Sequence, residues 1–249
     1  ILTGSRKSKM PAQLAPAAPV ATSKRKIFTD TIQVQLQAAL PGETIRYTLD
    51  NSDPGKNSAV YKQKIVLDKT STLKVASFNK FGKSRVNTIP FTKEKAYSAV
   101  TLTSPRQGLN YHYFTGKMND DDPDKFKNLS FSKTGTTSGL DFEEIPHRTQ
   151  YWGAVFEGYI KVPADGYYRF SGHADHILRL DIHDKTLFEE LDREINYEGD
   201  IYLKAGYHPV KIAYYNSRLN RAFLELYYSG PGIERQAVPA AVWWSEGGF

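Results

Sequence analysis

Ser171, His173 and Asp175 supply the three side-chain types of a hydrolytic triad within one short stretch. On an extended strand, alternate residues share a face but stand roughly 6.6 Å apart, at about 3.3 Å of rise per residue. A working triad needs hydrogen-bond contact between successive members and a third group that orients the base. Serial placement on one strand opposes that, so no nucleophilic site is expected. A glycosidase pair needs two acids on opposing walls of a sugar cleft, roughly 5 to 9.5 Å apart. Glu143-Glu144 and Glu189-Glu190 are instead adjacent acids on loop-like stretches, the pattern of solvated groups. His173, His176, His183 and Asp175 lie on one loop and strand, but no ligand spacing enforces a transition-metal site. The acidic run Asn119-Asp120-Asp121-Asp122-Pro123-Asp124 lacks the sixth-place glycine and distal glutamate of an EF-hand loop. It reads as a solvated loop, and neither a catalytic nor a metal-binding constellation is expected.

The elements that must position these residues centre on Phe156 to Lys185. Phe156, Ile160 and Val162 fall on one face of an extended segment, as a half-buried strand requires. Pro163-Ala164-Asp165-Gly166 is a turn, with Pro presetting φ, Asp able to cap backbone and Gly tolerating φ > 0. Tyr167 to Phe170 is aromatic and favours a strand. Leu178, Leu180 and Ile182 then alternate with Arg179, Asp181 and His183. Ser171 to His176 is thereby expected as a polar loop at the end of a sheet, where a rigid scaffold displays binding groups. Phe188 to Tyr197 is acidic and at best amphipathic, fitting a helical turn or an irregular loop.

Upstream, Ile32, Val34 and Leu36 alternate with Gln33, Gln35 and Gln37, and Ile45, Tyr47 and Leu49 with Arg46, Thr48 and Asp50. Pro41-Gly42 and Asp50 to Gly55 are turn signals, and Ile65 to Leu67 and Leu73 to Phe78 supply two further strands. Short strands at this spacing, without a helical period, indicate a sandwich. Residues 1–26 are rich in Lys, Ser, Pro and Ala and read as a linker, partly ordered at best.

The 249 residues leave room for one or two domains, and 40% hydrophobic content is enough for real cores. No apolar run is long enough to cross a bilayer as a helix. The formal charge of +6 does not mark a nucleic-acid binder. Six basic residues and no acid lie in residues 1–26; the remaining 27 basic residues balance the 27 acids. A basic tail is not a groove-lining patch. Without cysteine there is neither a disulfide nor a thiolate metal site. Ile1 is no initiator and no apolar leader follows, so a fragment excised from a longer protein is expected.

Two resemblances sharpen this. Ile45-Arg46-Tyr47-Thr48-Leu49-Asp50, Asp53-Pro54, Thr72-Leu73-Lys74 and Gly82-Lys83-Ser84 resemble the chitobiase/β-hexosaminidase C-terminal domain, which is fibronectin-III-like and follows a catalytic barrel. That family has Gly where Asn51 stands, and Asn is the next best residue for φ > 0. Gly158-Tyr159-Ile160, Val162-Pro163, Asp165-Gly166, Arg179-Leu180-Asp181-Ile182, Leu203 to Ile212, Ala222 to Tyr227 and Val238 to Trp243 resemble the anthrax protective-antigen-type β-sandwich, a family of sugar-binding modules. The likeness covers roughly 106–244. The expected fold is therefore all-β, with a small fibronectin-III-like sandwich over residues 27–95 and a larger protective-antigen-type sandwich over 96–249.

In sugar-binding relatives of that second type, two consecutive aspartates hold a calcium ion that ligates sugar hydroxyls. The matching positions here are Asp175 and His176, so the second carboxylate is replaced by an imidazole, a poor calcium ligand. The resemblance implies no cofactor, with calcium disfavoured, and a carbohydrate site at Asp175, His176, Arg179, Asn216 and Asn220. Tyr214, Tyr215, Trp243 and Trp244 are stacking candidates, with only one of Tyr214 and Tyr215 able to face outward. It also implies non-catalytic accessory modules of an exported bacterial glycoside hydrolase, a β-N-acetylhexosaminidase by type. Their partners would be a glycan and the upstream catalytic domain, and their setting periplasmic, cell-surface or secreted. The alternative is a purely structural packing module that binds no sugar.

Overall fold

The computed structural model describes residues 16–23, 25–119, 122, 124–127, 129–190, 197–217, 219 and 222–247. The chain is all-β apart from short 3-10 turns and divides into two compact units, Ile1–Lys95 and Ala96–Phe249. Among the described residues no helix is long and apolar enough to cross a membrane.

Among its described residues the first unit holds ten strands: β1 (Val20–Ala21), β2 (Ile27–Phe28), β3 (Ile32–Val34), β4 (Leu36–Gln37), β5 (Thr44–Thr48), β6 (Ala59–Val60), β7 (Ile65–Leu67), β8 (Ser71–Asn79), β9 (Gly82–Lys83) and β10 (Asn87–Lys93). The main sheet runs β2-β10-β8-β5-β6, with β9 on β8; β1 pairs with β4 and β3 with β7. The Ile32/Val34/Leu36 alternation is real, but the strand breaks at Gln35 and its halves find different partners. All three side chains reach one core with Ile45, Leu73, Val75 and Phe91. Leu49 departs from its pattern: β5 ends at Thr48 and Leu49 stands exposed in the following turn. Asn51 has φ 67°, the left-handed conformation its side chain tolerates.

The second unit is a two-sheet sandwich. Its strands are β11 (Pro105–Gln107), β12 (Leu109–Thr115), β13 (Lys133–Thr137), β14 (Trp152–Val162), β15 (Gly166–Ala174), β16 (Ile177–Ile182), β17 (Lys185–Glu190), β18 (Tyr197–Leu203), β19 (Gly206–Asn216), β20 (Leu224–Gly230), β21 (Ile233–Ala237) and β22 (Trp243–Glu246). One sheet runs β11-β22-β14-β19-β16-β17, with β12 and β13 added beside β14; the other runs β18-β15-β20-β21. Between them Phe156, Ile160, Val162, Tyr168, Phe170, Leu178, Leu180 and Ile212 are wholly or almost wholly buried. Burying each such side chain stabilises by about 1.5–3 kcal/mol.

The turn after Val162 carries the chain across the sandwich, because β14 and β15 lie in different sheets. Three expectations change here. Asp165 caps the β18–β19 turn, accepting from Ala205 N–H at 2.7 Å and Lys204 Nζ at 2.8 Å, rather than its own backbone. The polar loop shrinks, because Ser171 to Ala174 complete β15 and only Asp175 and His176 separate it from β16. Lys185–Glu190 is an edge strand, not a helical turn, and residues 191–196 lie outside the described set.

The large sheet is also covered on part of its outer face. Phe114, Val155, Ile177, Ala213 and Tyr215 form a second small core with Phe126, Met118 and Leu129 from the β12–β13 connection. Asp120, Asp121 and Pro123 of the acidic run lie outside the described residues.

Candidate functional site

The Asp175-His176 turn is built from the inside. Asp175 is wholly buried, and its Oδ1 accepts the Tyr214 hydroxyl at 2.5 Å and the Phe223 N–H at 3.2 Å. Its own N–H donates to the Phe223 carbonyl at 3.4 Å. The carboxylate thus ties the turn to β19 and to the approach to β20. Burial, and then the adjoining carboxylate, push the Tyr214 phenol well above its ordinary value, so it stays a neutral donor. His176 is 5% exposed, with Nε2 3.5 Å from Ser217 Oγ and its ring 5.7 Å from that of Tyr215. Asn216, fully buried, stands one step of register beyond the Tyr215–Ile177 pair and so opposite His176.

Three of the five expected site residues therefore meet at one end of the sandwich, but beneath its surface. Arg179 does not join them. It projects from the outer face of β16 and is held by Asp181 at 2.9 Å, Glu189 at 3.3 Å and Thr186 at 3.0 Å. Asn220 lies outside the described residues, as does Arg218. Tyr214 and Tyr215 are both buried, because each face of β19 is covered: Tyr214 by the main core, Tyr215 by the second one. Trp243 is also a core residue. The would-be triad is dispersed among separate partners: Ser171 contacts Arg235 Nη2 at 3.4 Å, His173 packs on the Phe223 ring, and Asp175 holds Tyr214.

The donor set at this turn does not fit calcium. The ion takes six to eight oxygens, whereas one inaccessible carboxylate, already accepting two hydrogen bonds, stands beside an imidazole. Among the described residues no three His, Asp or Glu side chains group as a metal site.

In front of Phe223 lies an open cleft of about 980 Å³. One wall is the 3-10 turn Phe142–Glu144, begun by Asp141, whose Oδ1 accepts the Glu143 N–H at 2.9 Å. Glu144 anchors that turn by accepting the Thr137 hydroxyl at 2.8 Å and the Ser138 N–H at 2.6 Å. The Ser138 hydroxyl, which also donates to it, then the Ser138 N–H and the Thr137 hydroxyl, hold its carboxyl below the usual range. Phe142 meets Tyr214 at 4.5 Å and Trp152 edge-on at 5.1 Å between ring centres. The ring that bonds Asp175 thus also supports the cleft wall. His147 and Arg148 continue this wall, and Leu224 to Tyr227 form the other, with Tyr227 donating to Glu225 at 3.2 Å. The chemistry on offer is apolar surface beside mixed charge, suited to holding a polar organic molecule.

Sequence reading missed Phe142, His147, Arg148, Phe223 and Glu225. The two walls come from chain segments some 80 residues apart, and no local pattern links them.

The second unit is thus a two-sheet sandwich module with its cleft at the ends of the strands. The chain belongs to the PA14 domain family, whose model matches residues 105–241, more than half of the sequence. A second model, described as Fn3 associated, matches residues 34–91. A curated relative, the Beta-hexosaminidase of Porphyromonas gingivalis (strain ATCC BAA-308 / W83), is 27% identical over 206 residues, 79% of this chain. The chain spans about a quarter of that relative's length, 26%. Among solved structures, the Epithelial Adhesin 9 A domain from Candida glabrata in complex with Galb1-3GlcNAc aligns with a TM-score of 0.47 and 14% identity, over 59% of this chain and 93% of that one. An anti-sigma factor domain-containing protein from Clostridium clariflavum aligns with a TM-score of 0.43 and 20% identity, over 92% of this chain and 83% of that one.

Proposed function

We propose that this chain is a non-catalytic, carbohydrate-binding accessory region of an exported glycoside hydrolase of the β-N-acetylhexosaminidase type. Its fibronectin-III-like unit would be of the chitobiase C-terminal kind and its sandwich of the protective-antigen kind. The observation that carries the reading is the cleft between Phe142 and Phe223, which sits at the strand ends of a PA14-family sandwich. Its size falls within the roughly 300–1,000 Å³ of small-ligand sites. The partial match to a hexosaminidase supports the choice of parent enzyme, whose catalytic domain would be the second partner.

Binding is calcium-independent in this reading, because the turn that would grip the ion keeps one buried carboxylate. Asp175 braces Phe223 from beneath, with His176 and Asn216 buried beside it, and Phe142, His147, Arg148, Phe223 and Glu225 meet the sugar. The second reading is a packing module without a ligand, favoured by the burial of Asp175, His176 and Asn216. Isothermal titration with N-acetylglucosamine oligomers, run with and without a chelator, separates the two. Heat that survives the chelator and is reduced in Phe223→Ala supports the binding module. Silence across a broad glycan array supports the packing role.

A further inference from the structure

We infer a second carbohydrate platform, on the outer face of the large sheet and remote from the Asp175 turn. It rests on the carbohydrate reading above but uses a different surface. Tyr159 on β14 stands opposite both Trp244 on β22 and Pro209 on β19, and Lys161 stands opposite Tyr207. Cross-strand neighbours of this kind hold their side chains together on one face. Phe156, Ile160 and Val162 take the inward positions of β14, so Glu157, Tyr159 and Lys161 face outward. Tyr159, Tyr207 and Trp244 are each half-buried.

The rings are held in place rather than loose. Tyr207 and Trp244 meet edge-to-face, 5.6 Å apart at 75°. The Lys161 ammonium sits 5.2 Å from the Tyr207 ring centre and 5.6 Å from that of Trp244. Such contacts fix the rings before any ligand arrives, which lowers the ordering cost of binding.

Beside them lies a depression of about 450 Å³, lined by Tyr159, Pro209, Asn110, Glu157, Lys211 and Glu246 among others. Its charges are already matched. Glu157 is paired with Lys211 at 2.9 Å and with His112 at 3.5 Å. Glu246 accepts the Thr103 hydroxyl and the Ser104 N–H, both at 2.6 Å. A site whose charges are internally satisfied selects no ion, yet fixed carboxylates and the Asn110 amide keep lone pairs and donors for hydroxyls. The electron-rich faces of aromatic rings attract the polarised C–H edges of a pyranose. Together these features fit a neutral oligosaccharide lying across the sheet.

The platform is independent of the cleft. From Trp152, beside the Asp175 turn, to Tyr159 the strand advances roughly 23 Å at about 3.3 Å per residue, and the platform faces the other way.

Tryptophan fluorescence tests this directly. Trp152 and Trp243 are 0% and 1% exposed, but Trp152 touches Phe142 of the cleft, so a fluorescence change is assigned to Trp244 where it disappears in Trp244→Phe. The probes are the N-acetylglucosamine hexamer and cellohexaose, titrated into the full chain. The expected result is a saturable change with millimolar affinity for one of them. Tyr159→Ala and Tyr207→Ala should each weaken it about tenfold, some 1.4 kcal/mol, with the wild-type melting midpoint retained. Phe223→Ala in the cleft should leave it within about twofold, and Trp244→Phe should preserve binding measured by calorimetry. No response to either hexamer overturns the platform, as does a response unchanged in both tyrosine variants. A response lost in Phe223→Ala alone would place the sugar in the cleft, sinking the platform and sparing the cleft.

Discussion

Asp175 is a carboxylate put to structural use. It is wholly buried and accepts the Tyr214 hydroxyl and the Phe223 N–H. Tyr214→Phe removes a donor to this carboxylate and should cost about 1–3 kcal/mol, the usual penalty for under-satisfying a buried polar group; urea denaturation measures it. The pH dependence has a definite sign. The phenol's folded pKa is raised above its ordinary value of 10.0, so its contribution is complete below that value. It is lost as pH rises further, because the unfolded chain releases the proton first. Wild-type stability should fall in strongly alkaline solution, and the fall should be shallower in Tyr214→Phe. Glu144 runs the opposite way. Its folded pKa is lowered, so its support is present above the ordinary 4.5 and lost as pH falls through the folded value. Amide exchange at Ser138 and along Asp141–Ile145 should quicken in acid, and at neutral pH in Glu144→Ala. Unchanged exchange in that variant would remove the anchor from the account of the cleft wall.

At the scale of elements, β14 organises the sandwich. It pairs with β12, β19 and β22, sends Phe156, Ile160 and Val162 into the main core, and offers Tyr159 and Lys161 to the outer face. Its first residues leave no spare room. A methyl at Gly153 would be driven into the Phe114 ring and the Tyr214 carbonyl. Gly153→Ala should therefore destabilise by about 1–3 kcal/mol or more, the cost of overpacking, seen as a lower midpoint in thermal melting. Since Tyr214 also holds Asp175 and touches Phe142, the same substitution should weaken any ligand in the cleft. Across β16 and the edge strand β17, the Arg179–Asp181–Glu189 cluster is joined by Lys125 at 2.5 Å from Glu189, so the β12–β13 connection is pinned over the second core.

For the molecule as a whole, the two units each have their own core, and the matched families divide the same way along the chain. A calcium site of useful affinity would raise the melting temperature by mass action. Millimolar calcium, or a chelator in its place, should shift the midpoint by less than about 1 °C, since a 1 kcal/mol change moves it roughly 2–4 °C at this size. A larger rise with calcium would contradict the proposed metal independence.

Alternation and turn chemistry made most of the fold legible. Ile32/Val34/Leu36 and Leu178/Leu180/Ile182 announced strands because a half-buried strand has period two whatever its partner. Asn51 could be placed in a left-handed turn because that preference is local. Which sheet a strand joins is not local. Nothing between Val162 and Gly166 says that the chain crosses the sandwich there, nor that Gln35 divides one alternating run between two partners. The site followed the same rule. The sequence placed an imidazole directly after the Asp175 carboxylate, since neighbours in the chain are read directly. That Asp175 lies buried under Tyr214, that Arg179 points elsewhere, and that Phe142 faces Phe223 across a cleft were decided by packing between distant segments. Burial depends on what covers a residue, and only the tertiary structure supplies the cover.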